Sequence, residues 1–197
     1  MRMLSLLSLL LCCDFTQAQD FFNTKDLAGW KGLTEHWSVQ DGMIHGTTQP
    51  KGINFNTFLC SDKEYTDFEL TLQVRLNEAG NSGVQIRSKI DDPKKFVVAG
   101  PQCDMGQAYW GSLYGERFGG MMKASDAALV KKVVKVNEFN DYHILCQGKR
   151  VVIKINGTTM LDGEFAKMPD KGIIAFQIHG GAAMDVYFKN IVFKELK

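Results

Sequence analysis

A carboxylate, an imidazole, a guanidinium and several amides recur at alternate positions along short segments of this chain. One segment supplies Glu69, Gln73 and Arg75, and the next supplies Gln85 and Arg87. Gln102 and Asp104 share a third segment, and Gln177 and His179 a fourth. A spacing of two places side chains on one face of a β-strand. If these strands are neighbours, their polar sides form one concave wall. Such a wall is suited to a molecule with many hydroxyls, because amides, carboxylates and guanidinium supply acceptors and donors together. His179, Asp104 or Glu69 could move a proton, and Arg87 could hold an oxyanion. Tyr109, Trp110 and Tyr114 follow in a glycine-rich stretch, with Arg117 after them. Aromatic faces there could cover the C–H face of a sugar ring. The bland reading also stands: alternating polar residues mark any solvated sheet face, and Gln73 and Arg75 fit that reading better.

The elements that must position these groups are strands. From Asp67 to Ser88, Phe68, Leu70, Leu72, Val74 and Leu76 alternate with polar residues, and Val84 and Ile86 resume the alternation after a Gly80-containing turn. We expect these two strands to pair within one sheet. Asp41-Gly42 and Asn156-Gly157 are two-residue hairpin turns. Asn156-Gly157-Thr158 is also a glycosylation sequon, but the turn accounts for it. Val97 to Met105 is a strand interrupted by Gly100-Pro101, and Lys123 to Lys135 could hold one short helix, around Ser125 to Val130, or none. Val186 and Phe188 differ in parity from Ile191 and Phe193, which predicts a β-bulge near Asn190. About eleven or twelve short strands with almost no helix mean an all-β sandwich of two antiparallel sheets. Trp30 and Trp37 belong to its core, and His36, His45 and His143 share no spacing and are structural.

The chain has 197 residues and a formal net charge of +1, with 45% hydrophobic and 23% charged residues. One domain over 20–197 follows, and a nucleic-acid surface is excluded by the near-neutral charge. Arg2, the apolar run Leu4 to Leu11 and Thr16-Gln17-Ala18 read as a secretory signal over 1–19. The alternatives are a membrane helix, for which the run is too short, and a lipoprotein anchor at Cys12 or Cys13, where Leu11 fits poorly. Secretion or periplasmic location, without stable membrane insertion, is therefore expected. Cys60, Cys103 and Cys146 remain, and buried free thiols are the simpler reading, although one pair could bridge.

Together the motifs resemble the 3-keto-disaccharide hydrolase domain family. The matching pieces include Phe22-Asn23-Thr24-Lys25-Asp26-Leu27-Ala28-Gly29-Trp30, Trp37 to Ile44, Glu64 to Leu70 and Asn81-Ser82-Gly83-Val84-Gln85-Ile86-Arg87. Gln102-Cys103-Asp104, Gly111-Ser112-Leu113-Tyr114, Asn156-Gly157, His179-Gly180 and Phe188-Lys189-Asn190-Ile191 follow in the family's order. The chain departs at Glu138-Phe139-Asn140, where the family has tryptophan, and lacks a glutamate before Gln102. The resemblance implies a concanavalin A-like jelly roll and a glycoside substrate already oxidised at C3. The ketone acidifies the C2 proton; a base removes it, the C1 oxygen leaves and water adds back. Under this reading His179, Asp104, Arg87 and Glu69 are catalytic. Gln85, Gln102, Tyr114, Trp110, Gln177 and Arg117 bind substrate, and a divalent metal could take the place of Arg87. The carboxylate pattern Glu-x-Asp-x-x-Glu of related endoglucanases is missing, which disfavours the two-carboxylate mechanism. The alternatives are a carbohydrate-binding module without turnover and a laminin-G-like interaction domain.

Overall fold

The computed structural model describes residues 21–196. The expected leader over 1–19 lies outside the described residues. In chain order the first strands are β1 (Trp30–Lys31), β2 (Trp37–Gln40), β3 (Met43–Thr47), β4 (Thr57–Tyr65) and β5 (Phe68–Leu76). There follow β6 (Ser82–Asp92), β7 (Val97–Met105), β8 (Leu113–Glu116) and β9 (Gly120–Lys123). Among the described residues a single α-helix, α1 (Ala127–Val133), precedes β10 (Asn140–Gln147), β11 (Arg150–Ile155), β12 (Thr158–Glu164), β13 (Gly172–Ile178) and β14 (Asp185–Glu195). They form two antiparallel seven-stranded sheets. The first sheet runs β1-β4-β13-β6-β7-β8-β9, and the second runs β12-β11-β10-β5-β14-β3-β2. The architecture is a jelly-roll β-sandwich.

Strand β5 obeys the alternation throughout: Phe68, Leu70, Leu72, Val74 and Leu76 are at most 4% exposed, and the residues between them are half-buried. Each such side chain contributes about 1.5–3 kcal/mol by leaving water. The inner face of the first sheet answers with Val84, Ile86, Cys103, Met105, Leu113, Ile174, Phe176 and Ile178. The two hairpin turns form as expected: Gln40 pairs with Met43 and Ile155 with Thr158. Asn156 and Gly157 both take positive φ, 48° and 79°. The side chain of Asn156 donates to Val133 O and Asn140 Oδ1, so the turn uses the sequon amide structurally. The expected bulge is also present, since the register shifts between Lys189 and Val192 with Asn190 at φ 51°. Helix α1 starts two residues later than expected, because Asp126 caps it by accepting from Ala128 N and Leu129 N. Cys60, Cys103 and Cys146 are free and buried.

One expectation fails in a way that decides the site. Strands β5 and β6 do not pair. β5 lies between β10 and β14 in the second sheet, and β6 lies between β13 and β7 in the first. The Asn77–Asn81 connection therefore crosses from one sheet to the other. Glu69, Gln73 and Arg75 face outward on one side of the molecule, and Gln85 faces outward on the other.

Candidate functional site

The outer face of the first sheet carries a row of direct cross-strand partners, Cys60, Ala175, Gln85, Gln102 and Tyr114. The row passes from apolar to polar. At its apolar end Phe58, Cys60, Val98, Ile173 and Ala175 form a second buried cluster, covered by Ile90 and Phe96. Half of the expected wall is therefore filled by hydrophobic packing. The other half opens as a cleft of about 640 Å³, lined by Asn56, Asn81, Gln102, Asp104, Tyr109, Tyr114, Glu116, Met121, Ala124, Gln177 and His179.

Asp104 is the chemical centre of this cleft. Its backbone is held from both sides: its N–H donates to Ser112 O, and Gly111 N and the Tyr142 hydroxyl donate to its carbonyl at 2.9 and 3.0 Å. Tyr142 reaches it from the second sheet, so the position of the carboxyl is tied to the core. Only 7% of Asp104 is exposed. Burial pushes its carboxyl up to about 7, opposed by a hydrogen bond from Gln102 and assisted by the negative charge of Glu116. Gln102 Nε2 donates to Asp104 Oδ1 at 2.6 Å and to Gln177 Oε1 at 3.2 Å. Gly83 stands opposite Asp104 in the ladder, and a Cβ there would lie 2.6 Å from Gln102 Cδ. Glycine is thus required for Gln102 to lie flat on the sheet. Gln177, which lines the cleft, has its Nε2 buried with no hydrogen-bond partner.

His179 is exposed at the end of β13. Asn56 fixes its turn by accepting from Gly180 N at 2.8 Å and by donating to Glu116 Oε1 at 3.1 Å. Tyr109, 48% exposed, and Tyr114 form the aromatic rim, with Met121 beside them. Among the described residues no three of His, Cys, Asp and Glu gather in a set able to hold a metal ion.

The structure brings together Asp104, His179, Gln102, Gln177 and Tyr114, with Gln85 buried beside Gln102. It separates four other expected residues from the cleft. Arg87 is not on the outer face. Between Gln85 and Lys89 the register of β6 slips, Ile86, Arg87 and Ser88 standing against Gly100 and Pro101. Arg87 takes φ 45° in this bulge and turns to the end of the sandwich. There it donates to Thr66 O, Gly148 O, Pro169 O and Asp67 Oδ1 and is 2% exposed. It closes three turns and touches no cleft group. Glu69 lies on the opposite outer face, where His143 Nε2 is 2.7 Å from its Oε1. Trp110 is 6% exposed and packs in the core against Tyr142, because the turn through Gly111 (φ 78°) directs it inward. Arg117, at φ 47° in the β8–β9 turn, pairs with Asp91 at 3.1 Å outside the cleft lining. Glu116, Asn56 and Asn81 also line the cleft and were not expected there. Alternation from Tyr114 points to Glu116, but nothing local distinguishes the two asparagines. His36, His45 and His143 all hold structural contacts, to Thr47 O, Asp185 and Glu69.

The chain was compared with known proteins. No curated protein matches it. A solved structure of a putative glycosyl hydrolase from Parabacteroides distasonis ATCC 8503 is similar at a TM-score of 0.67 and 23% identity, covering 89% of this chain and 92% of that one. The carbohydrate-binding module CBM66 from Bacillus subtilis is similar at a TM-score of 0.60 and 15% identity, covering 85% and 96%. A Bacillus subtilis protein with a galectin-like fold is similar at 0.56 and 11%, covering 86% and 90%. These likenesses establish the jelly roll. The 3-keto-alpha-glucoside-1,2-lyase-like domain matches residues 17–194, and with nearly the whole chain matched, this protein belongs to that family.

Proposed function

We propose that the cleft cleaves glycosides that carry a ketone at C3, by removing the C2 proton. The observation that carries this reading is Asp104, a buried carboxyl raised to about 7. A base whose affinity for protons lies near the working pH transfers them most effectively. Family membership supplies the substrate class. Asp104 in its ionised form takes the C2 proton, and the electron pair moves into the C2–C3 bond and onto the C3 oxygen. Before the proton moves, Gln177 Nε2, the unpaired donor, hydrogen-bonds the C3 carbonyl oxygen and polarises it. The enolate collapses, the C1–O bond breaks with its electron pair on the departing oxygen, and protonated His179 gives that oxygen a proton. Water then adds its hydroxyl to C1 and a proton to C2, and exchange with solvent restores Asp104 and His179. Tyr109 and Tyr114 stack on the sugar, while Asn56 and Glu116 hold hydroxyls. Residues 1–19, read as a secretory signal, would deliver the protein to an exported or periplasmic pool of such sugars.

The test is a discontinuous assay with a 3-keto-glucoside, reading both aglycone release and deuterium uptake at C2. Wild type should turn over, and Asp104→Asn should lose about a hundredfold or more in kcat. No turnover by wild type over a panel of 3-keto-glycosides overturns the reading. The likeness to a carbohydrate-binding module favours a second reading, in which the same cleft binds a sugar without cleaving it. Calorimetric binding of the intact substrate with no product would establish that instead.

A further inference from the structure

Three buried amides adjoin Asp104, and their arrangement is polar in a way that can be reversed. Gln85, Gln102 and Gln177 come from three neighbouring strands and are each at most 2% exposed. Ser88 Oγ donates to Gln85 Oε1 at 2.6 Å, Gln85 Nε2 donates to Gln102 Oε1 at 2.9 Å, and Gln102 Nε2 donates onward to Asp104 and Gln177. Every bond in this chain points its hydrogen toward Asp104 or Gln177. The arrangement leaves one donor stranded, Gln177 Nε2, and sets the Gln85 oxygen against the carbonyl oxygens of Pro101 and Gly100. A half-turn of the Gln85 amide would put its nitrogen 2.6 Å from Ser88 Oγ, 3.1 Å from Pro101 O and 3.2 Å from Gly100 O. Its oxygen would then face Gln102, which must turn in step and present its own oxygen 2.6 Å from Asp104 Oδ1. Two oxygens at that distance attract only if a proton lies between them. Gln177, turned likewise, would give its stranded nitrogen to Gln102.

We propose that Gln85, Gln102 and Gln177 form a positioning relay that reverses its hydrogen-bond direction with the charge on Asp104. When Asp104 is ionised, Gln102 donates to it and Gln177 presents a free donor to the cleft. When Asp104 holds a proton, it donates to Gln102, and the far end gains the Pro101 and Gly100 carbonyls as acceptors. The buried carboxyl is thereby hydrogen-bonded in both states, which is how a desolvated acid can cycle without an unpaired partner. This inference rests on the reading of Asp104 as the group that accepts the proton. The other groups facing Asp104 are Glu116 and Tyr114 from β8, Tyr109 from the turn before it, and Gln177 and His179 from β13. Asn81 faces it from before β6, and the Tyr142 hydroxyl binds its carbonyl from β10. Of these Glu116 and His179 carry ionisable side chains beside the cleft, so both must be watched in a titration.

The test is nuclear magnetic resonance of the full chain with labelled glutamine amides and aspartate carboxyls, titrated from pH 5 to 9 (a range set about the Asp104 midpoint). The side-chain amide of Gln85, which does not touch Asp104, should shift with the same midpoint as the Asp104 carboxyl. Glu116→Gln and His179→Gln should keep that coincidence, although the midpoint itself moves. Gln85→Leu should weaken the proton affinity of Asp104 about threefold or more, because it removes the end of the relay that favours the protonated state. A Gln85 amide unmoved across the Asp104 transition, or one that follows Glu116 or His179 instead, overturns the relay. The wild-type titration decides the question even if Gln85→Leu does not fold. Coincident midpoints without turnover of 3-keto-glycosides would sink the proposed activity and leave the relay. Turnover with an invariant Gln85 would do the reverse.

Discussion

The two outer faces of the sandwich carry similar residues and differ in what surrounds them. On the second sheet Glu69 sits 2.7 Å from His143, Gln73 donates to Asp141, and Arg75 lies 4.6 Å from the centre of the Tyr187 ring. On the first sheet Asp104 faces Gln102, and His179 and Glu116 line the same cleft. Both faces offer carboxylate, imidazole and amide at strand spacing. The second is wet and paired: the Glu69 side chain is 42% exposed and its charge has a partner. On the first, Asp104 is only 7% exposed and its one side-chain partner is the Gln102 amide. Among the described residues no cation balances Asp104, the neighbouring carboxylate opposes its ionisation, and an amide donor stands idle beside it. The proton affinity of Asp104 is set by burial without a counter-charge, while residue type is common to both faces.

That contrast is most severely tested by activity. Asp104→Asn should lose about 10²–10⁴-fold in kcat/KM toward a 3-keto-glucoside, and Glu69→Gln should stay within about twofold. Equal losses would erase the distinction between the faces. Arg87→Met should cost about 3–5 kcal/mol in urea denaturation, because it leaves three turn carbonyls and Asp67 without their donor. Its KM should hold at temperatures where it remains folded. A selective loss of kcat in a stable Arg87 variant would return the guanidinium to the chemistry.

Stability should also fall with pH in a window set by Asp104. Its carboxyl moves from the ordinary 3.8 to about 7, so the folded state binds a proton that the unfolded state has released. Below about pH 4 both states hold the proton and there is no penalty. The penalty grows as pH rises and is complete above about 7, where it is on the order of 4 kcal/mol. Asp104→Asn should therefore raise Tm relative to wild type more at pH 8 than at pH 5, while activity of wild type rises through the same window. Tm differences independent of pH would contradict the buried, uncompensated carboxyl. The smallest effect belongs to the wet face: Glu69→Gln should cost less than about 1 kcal/mol and shrink further in salt.

Much of the architecture could be read from local pattern. Unbroken alternation in β5, paired positive-φ residues at Asn156-Gly157 and the parity change at Asn190 each have a cause within a few residues. Asp104, Gln102, Gln177 and His179 were likewise marked by alternation, and they share one cleft with Tyr114, which was marked as an aromatic of the glycine-rich stretch. Arg87 was misplaced because parity was carried through a bulge that no side chain announces. Trp110 was misplaced because a turn at Gly111 reversed its direction. Glu69 was misplaced because a turn between strands says that the chain reverses, and says nothing about whether it returns to the same sheet.

The amino-acid order by itself therefore determined the strands, their apolar faces, the hairpin turns and the kinds of group available for chemistry. Those follow from side-chain geometry and backbone preference, which act over two to four residues. Which polar faces meet, which half of the hollow is filled by Phe58 and Ile90, and which carboxyl loses its water were decided only by tertiary structure. Desolvation and pairing are sums over neighbours distant in the chain, and Asp104 acquires its character from β8, β10 and β13 together.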